Sequence, residues 1–198
     1  KYERHLPQEP EQTEARKKEM HAAVPVDAFY KCWHMASRLD KRYYIADLLT
    51  DILGGGASSR LYQSLVKEQR LFSNIECFHF GSTDAGLACI SGKLVKGVTM
   101  EQAEKAVEAE LEKMKTATVS DTELQKVKNK TESMIAFEDM SVMSRAGSLA
   151  YYEILGDAAL MNQELDRYAA VTGADILQES RILFRPENSS TLYYYAKQ

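Results

Sequence analysis

Cysteine and long apolar runs are scarce in this 198-residue chain, and each scarcity removes a class of protein. The three cysteines, Cys32, Cys77 and Cys89, are odd in number and form no CxxC pair, which argues against a disulfide framework and a zinc knuckle. Each lies in an apolar segment and is expected as a small buried hydrophobe. Charged residues interrupt every apolar stretch, so none approaches the roughly 18 residues of a membrane span. Basic residues are not gathered in a block either. The 25 Lys and Arg are dispersed against 29 Asp and Glu, leaving a net charge of -4, and nucleic-acid binding loses its electrostatic footprint. The start Lys1-Tyr2-Glu3-Arg4-His5 carries neither an initiator Met nor the apolar core of a signal peptide, as expected of a segment from a longer product.

What remains is an ordinary globular composition, 44% apolar and 27% charged. Residues 1 to 20, rich in Glu, Gln, Lys and Pro, read as a charged lead-in or interdomain linker, and residues 21 to 198 as a single folded domain. Ala22 to Met35 is rich in β-branched and aromatic residues and predicts a strand. Tyr44, Ile45, Leu48, Leu49 and Ile52 repeat at the three-and-four spacing of one helix face, and Gly54-Gly55-Gly56 stops that helix. Ser58 or Ser59 is placed to cap a second helix running to about Gln69. Phe72 to Gly81 and Leu87 to Val95 flank a turn-like segment from Ser82 to Gly86 and predict a β-hairpin.

Helical signals then dominate. Thr99 with Gln102 forms a capping-box pattern ahead of Ala103, Ala106, Val107, Leu111 and Met114, and Ser120 with Glu123 repeats it. Further helical patterns run from Val142 to Leu155, from Asn162 to Tyr168 and from Thr172 to before Pro186. Thr191 to Ala196 closes the chain as a strand. Because whole helical runs separate the strands, the predicted fold class is α+β in two layers, a mostly antiparallel β-sheet with helices packed on one face.

Few residues offer chemistry. The triple glycine followed by Ala57-Ser58-Ser59-Arg60 lacks the Gly-Lys-Ser/Thr ending of a phosphate loop and matches no G-x-S-x-G, so a helix-stopping loop is the expectation. His5, His21, His34 and His79 fall in no metal-ligand spacing. Cys32-Trp33-His34 and Cys77-Phe78-His79 would assemble a four-ligand site only if two strands paired them in register; buried Cys beside half-exposed His is the plainer expectation. Glu101, Glu104, Glu108, Glu110 and Glu112, interspersed with lysines, are expected on the solvent side of an amphipathic helix. Tyr151, Tyr152 and Tyr193 to Tyr195 are expected in the core and on the sheet.

The run from Asp47 through Gly54-Gly55-Gly56-Ala57-Ser58-Ser59-Arg60-Leu61-Tyr62, continuing as Leu65-Val66-Lys67-Glu68, resembles the second domain of the pitrilysin/insulinase-type zinc peptidases. This is the inverzincin group, which includes the mitochondrial processing peptidases, and the order of elements agrees with it from about His21 onward. The resemblance implies that two halves, each of two similar α+β domains, close around a peptide substrate. Zinc would be held by H-x-x-E-H and a further Glu in the first domain, and none of that set is present here. The implied cofactor is therefore zinc in the full-length protein and none bound by this fragment. The implied partners are the peptide, a zinc-bearing N-terminal domain and a partner half-molecule, with self-association through an uncovered interface as a further expectation.

Partner halves of this family carry an Arg and a Tyr seven positions apart after the Ser-Arg-Leu motif; Val66 and Ser73 stand there instead. The resemblance thus implies the second domain of the zinc-bearing half, inactive alone. The alternative it leaves is a catalytically inactive partner or scaffold subunit of the same fold. Gly54, Gly55, Gly56, Ser58, Ser59 and Arg60 are the residues expected to face the substrate chamber or a domain interface.

Overall fold

The computed structural model describes residues 9–81, 83–138 and 140–197. Its centre is a five-stranded sheet in the order β1-β5-β2-β4-β3, built from β1 (Arg16–Ala22), β2 (Ala28–Met35), β3 (Phe72–Phe80), β4 (Gly86–Leu94) and β5 (Ser189–Ala196). β2 with β4, β2 with β5 and β3 with β4 are antiparallel, while β1 runs parallel to β5. The sheet is mixed but mostly antiparallel, in keeping with the α+β expectation. The expected hairpin is β3 and β4; Ser82 in its turn lies outside the described residues.

Strand alternation sets the two faces of the sheet. In β2, Phe29, Trp33 and Met35 are buried beneath the helices, whereas Tyr30, Cys32 and His34 face the other way and stay partly exposed. The helical layer consists of α1 (Lys41–Gly54), α2 (Met100–Thr116), α3 (Asp121–Glu138), α4 (Val142–Ile154), α5 (Glu164–Ala169) and α6 (Gly173–Leu183). α1, α2 and α6 contact the sheet directly, and α3 and α5 pack on α1. Leu48, Leu49 and Leu53 of α1 are fully buried, each contributing about 1.5–3 kcal/mol.

Local signals account for most helix starts. Asp40 caps α1 by accepting from the Arg42 N–H, and Thr99 with Gln102 and Thr172 with Asp175 form complete capping boxes on α2 and α6. The segment after the glycines departs from expectation. Residues Tyr62–Glu68 form a π-helical stretch, and neither Ser58 nor Ser59 caps it, because the Ser59 hydroxyl donates back to the Gly56 carbonyl at 2.7 Å. The stretch ends at Glu68, and Arg70, two residues on, takes a left-handed φ of 55°.

Two expectations are corrected here. Residues 16–20, placed in the lead-in, form most of β1, while residues 1–8 lie outside the described residues. β1 has six exposed residues in seven and no apolar alternation, so its strand character comes from backbone pairing to β5, anchored by buried Gln12 donating to the Ser189 carbonyl at 2.8 Å. Glu110, expected on the solvent side of α2, is 4% exposed and accepts hydrogen bonds from Ser64 and Lys113, both at 2.7 Å. It continues the buried series Ala103, Val107 and Met114 at helical spacing, which puts it on the packed side.

One contact governs how α1 meets the sheet. A Cβ added to Gly54 would lie 1.9 Å from the backbone nitrogen of Cys77 in β3, so the helix end approaches the strand closer than any side chain allows. Gly147 in α4 has open space around it. Gly54→Ala is expected to cost about 3 kcal/mol, and Gly147→Ala to gain about 0.5–1 kcal/mol of helix propensity. Denaturant unfolding of both variants checks this, and equal stabilities for the pair would refute the close approach.

Candidate functional site

The glycine-rich loop leaves α1 and turns at Gly56, whose φ of 104° suits glycine alone among common residues. Gly54 is buried against β3, Gly55 lies against Asp51, and Ser59 is 2% exposed, so half of this expected site is turned inward. Gly56, Ala57 and Ser58 form its exposed tip. Three contacts tether the loop region to α3. The Arg60 guanidinium donates to both Glu123 oxygens at 2.9 and 2.7 Å, Lys126 donates to the Ser58 carbonyl and hydroxyl, and Lys130 pairs with Asp51 at 2.8 Å. The Glu123 carboxylate raises the Arg60 pKa and keeps the guanidinium charged, so Arg60 acts as a strut within the domain.

A second group, unforeseen from sequence, lies where α4 and α5 meet α1. Arg38, buried ahead of α1, donates to Tyr44 at 2.5 Å and Tyr152 at 2.9 Å, and pairs with Glu164. Glu164 also accepts from Tyr152 at 2.5 Å and Tyr44 at 3.2 Å. The charged pair is thereby hydrogen-bonded on both sides, as a buried pair requires. Arg38 and Glu164 are 126 positions apart, and no local pattern marks either.

Beside it, Asp47 Oδ1 lies 3.3 Å from His79 Nδ1, and His79 Nε2 lies 3.0 Å from the Tyr43 hydroxyl. This has the outline of an acid, imidazole and hydroxyl relay. Burial, however, pushes the Tyr43 phenol up to about 12, so it stays protonated near neutrality. The Asp47 carboxyl is itself raised by burial, against the opposing pull of His79 and a 2.5 Å hydrogen bond from Tyr168. A depression of about 850 Å³ opens elsewhere, between His21, Val26, Val95 and Tyr195. Through these contacts His79 of β3 bridges Tyr43 and Asp47 of α1.

The Cys and His pairs do not converge. β2 and β3 flank β4 on opposite sides, and Cys77 faces the helical layer whereas Cys32 faces away from it. Among the described residues no group of three or more His, Cys, Asp or Glu is arranged to hold a metal, so the residues present do not fit a zinc site.

Two surfaces remain uncovered. The sheet face opposite the helices carries Met20, Tyr30, Phe80 and Leu87, all exposed. The end of α3 and the length of α4 present Phe137, Met140, Val142, Met143 and Ile154, with Val142 83% and Met143 82% exposed. Exposed apolar side chains gathered in this way mark a contact surface.

Residues 1–131 match the peptidase M16 inactive domain. The chain belongs to that family. The M16 inactive domain of a zinc-peptidase family is thus what the Gly-Gly-Gly-Ala-Ser-Ser-Arg-Leu-Tyr run signalled. No curated protein matches the chain. Among solved structures, a protease from Helicobacter pylori superposes with a TM-score of 0.89 at 23% identity, over 98% of this chain and 48% of that one. The inactive peptidase domain of a proposed zinc protease from Bordetella parapertussis gives 0.81 at 21% identity, over 90% and 95%. A chain of Complex III2 from Candida albicans gives 0.66 at 12% identity, over 90% and 45%. These likenesses establish a shared fold, and this M16 domain spans about half the length of the Helicobacter pylori chain.

Two measurements test the struts of this M16 domain. Glu164→Ala leaves Arg38 buried without its partner and is expected to cost about 3–5 kcal/mol in denaturant unfolding; a loss under about 1 kcal/mol would show that the group is not a buried pair. A double-mutant cycle on Arg60→Ala and Glu123→Ala is expected to give a coupling of about 1–2 kcal/mol. Additive effects would mean that the loop is held by something other than this bidentate pair.

Proposed function

We propose that this chain is the non-catalytic domain of a zinc-dependent peptidase, one that encloses peptides and degrades or processes them. The observation that carries the proposal is the uncovered apolar surface of an M16 inactive domain: the bare sheet face and the α3–α4 patch are dressed for contact with neighbours. A zinc-bearing domain and a partner half-molecule are the neighbours proposed. The sheet would form part of the chamber wall, with the Gly56 to Ser58 tip at the chamber or domain interface and Arg60 holding it from behind. The outer edge of β3, nine residues long at the end of the sheet, offers backbone groups to an extended peptide by strand addition.

Zinc chemistry belongs, in this reading, to the neighbouring domain, where a metal-bound water would be the nucleophile. This domain's part is to bind and to exclude solvent. A second reading, an inactive scaffold or partner subunit, is favoured by the likeness to a chain of Complex III2.

Zinc stoichiometry on the intact gene product, with residues 1–198 as control, separates the two. The proposal expects about one zinc per intact chain and none on the control, as for a single tetrahedral catalytic site. Zinc absent from both after reconstitution would favour the scaffold, and zinc on the control would overturn the assignment of the metal to a neighbour.

A further inference from the structure

The sheet face opposite the helices carries a pair of thiols that the proposed function does not use. Cys32 in β2 and Cys89 in β4 are direct partners in the antiparallel ladder, in a row that runs Ser190, Cys32, Cys89, Phe78 across four strands. Directly opposed residues of such a ladder have Cα atoms about 4.5 or 5.5 Å apart, according to their hydrogen-bonding class. Both separations fall inside the range of roughly 4.4–6.8 Å that a disulfide spans. Opposed side chains also leave the sheet on the same side, so the two sulfurs face each other without backbone movement.

The two thiols are not equivalent. Cys89 is 4% exposed, whereas Cys32 is partly open to solvent. Cys32 lines an apolar depression of about 520 Å³ together with Met20, Tyr30 and Leu192, and Arg16, Lys17 and Lys18 of β1 stand around it. The facing Cys89 thiol holds the Cys32 pKa below the ordinary thiol value, against the effect of burial, while Cys32 and burial push Cys89 up. Cys32 is therefore the nucleophile of the pair and Cys89 the resolving thiol. The third cysteine is set apart: Cys77 is buried on the helical side of β3 against Gly54, and burial raises its pKa.

We propose that Cys32 and Cys89 are a thiol oxidation site, closing to a cross-strand disulfide between β2 and β4 on the open face of the sheet when a small disulfide oxidant of the glutathione type is present. The Cys32 thiolate attacks one sulfur of the oxidant, forming a mixed disulfide and expelling one glutathione thiolate. Cys89 then loses its proton to solvent and attacks the Cys32 sulfur, expelling the second. Two protein thiols are oxidised by two electrons, and one glutathione disulfide is reduced to two thiols. Arg16, in the same cross-strand row as Cys32, and Lys18 favour an anionic oxidant at the depression, whereas Lys17 is paired with Glu104 on the other face.

The test is peptide mapping of the folded protein equilibrated in glutathione buffers of increasing oxidised fraction, quenched with a thiol-blocking reagent and digested without reduction. The expected result is a linked Cys32–Cys89 species, lighter by two hydrogens than the reduced pair, absent in reduced buffer and dominant in oxidised buffer, with Cys77 blocked throughout. In the reduced protein, Cys32 is expected to be alkylated at least about tenfold faster than Cys77. The Cys77→Ser variant keeps the link and places it unambiguously, since Cys77 and Cys89 lie between the same two basic residues, Arg70 and Lys93. Cys89→Ala is expected to stop the reaction at the mixed disulfide on Cys32. A link through Cys77, or no link at any glutathione ratio in wild-type protein of native circular dichroism, would overturn the proposal.

Discussion

The approach of the α1 terminus to β3 at Gly54 is the constraint on which the rest of the domain depends. Backbone atoms of Cys77 occupy the place a side chain would take, so α1 lies directly on the sheet. The glycine turn then leaves α1 at a set height. From that height Arg60 reaches Glu123, and Asp51 reaches Lys130, so α3 is positioned by the loop as well as by its own apolar stripe. A larger residue at position 54 would lift α1 and disturb each of these contacts together.

Polar groups more than apolar ones secure α4. α4 contributes Tyr152 as its buried residue, yet its apolar residues Val142, Met143 and Ile154 face outward. What holds this region to α1 is the group around Arg38 and Glu164, with Tyr44 and Tyr152 satisfying the remaining hydrogen bonds. Such a group is stable only when complete, because a buried charge without its partner has lost its water and gained nothing. The arrangement leaves the apolar side of α4 free for a neighbour, which accords with the role proposed for the domain.

Much of the fold was legible because its signals are local. The helix of Tyr44, Ile45, Leu48, Leu49 and Ile52, the Thr99 and Thr172 capping boxes, and the hairpin all rest on spacing or caps within a few residues of one another. β1 was not legible, since its residues are polar on both faces and its pairing partner lies at the far end of the chain. Glu110 was misplaced because its charge outweighed its position in a buried series that the spacing itself contained. The glycines were legible as a helix stop, but that Ser59 and Arg60 are spent on Gly56 and Glu123 depends on contacts no motif records.

The sequence by itself determined the helix and strand periods, the caps, the α+β class and, through the run from Gly54 to Tyr62, the peptidase family. These follow from steric and hydrogen-bonding preferences that act over one or two turns of chain. Only the tertiary structure decided that Cys32 opposes Cys89 while Cys77 faces the other layer, that Arg38 meets Glu164, and that one sheet face and α4 stay bare. Those outcomes depend on strand order and helix placement, which bring together residues far apart in the chain through packing that no short stretch of sequence encodes.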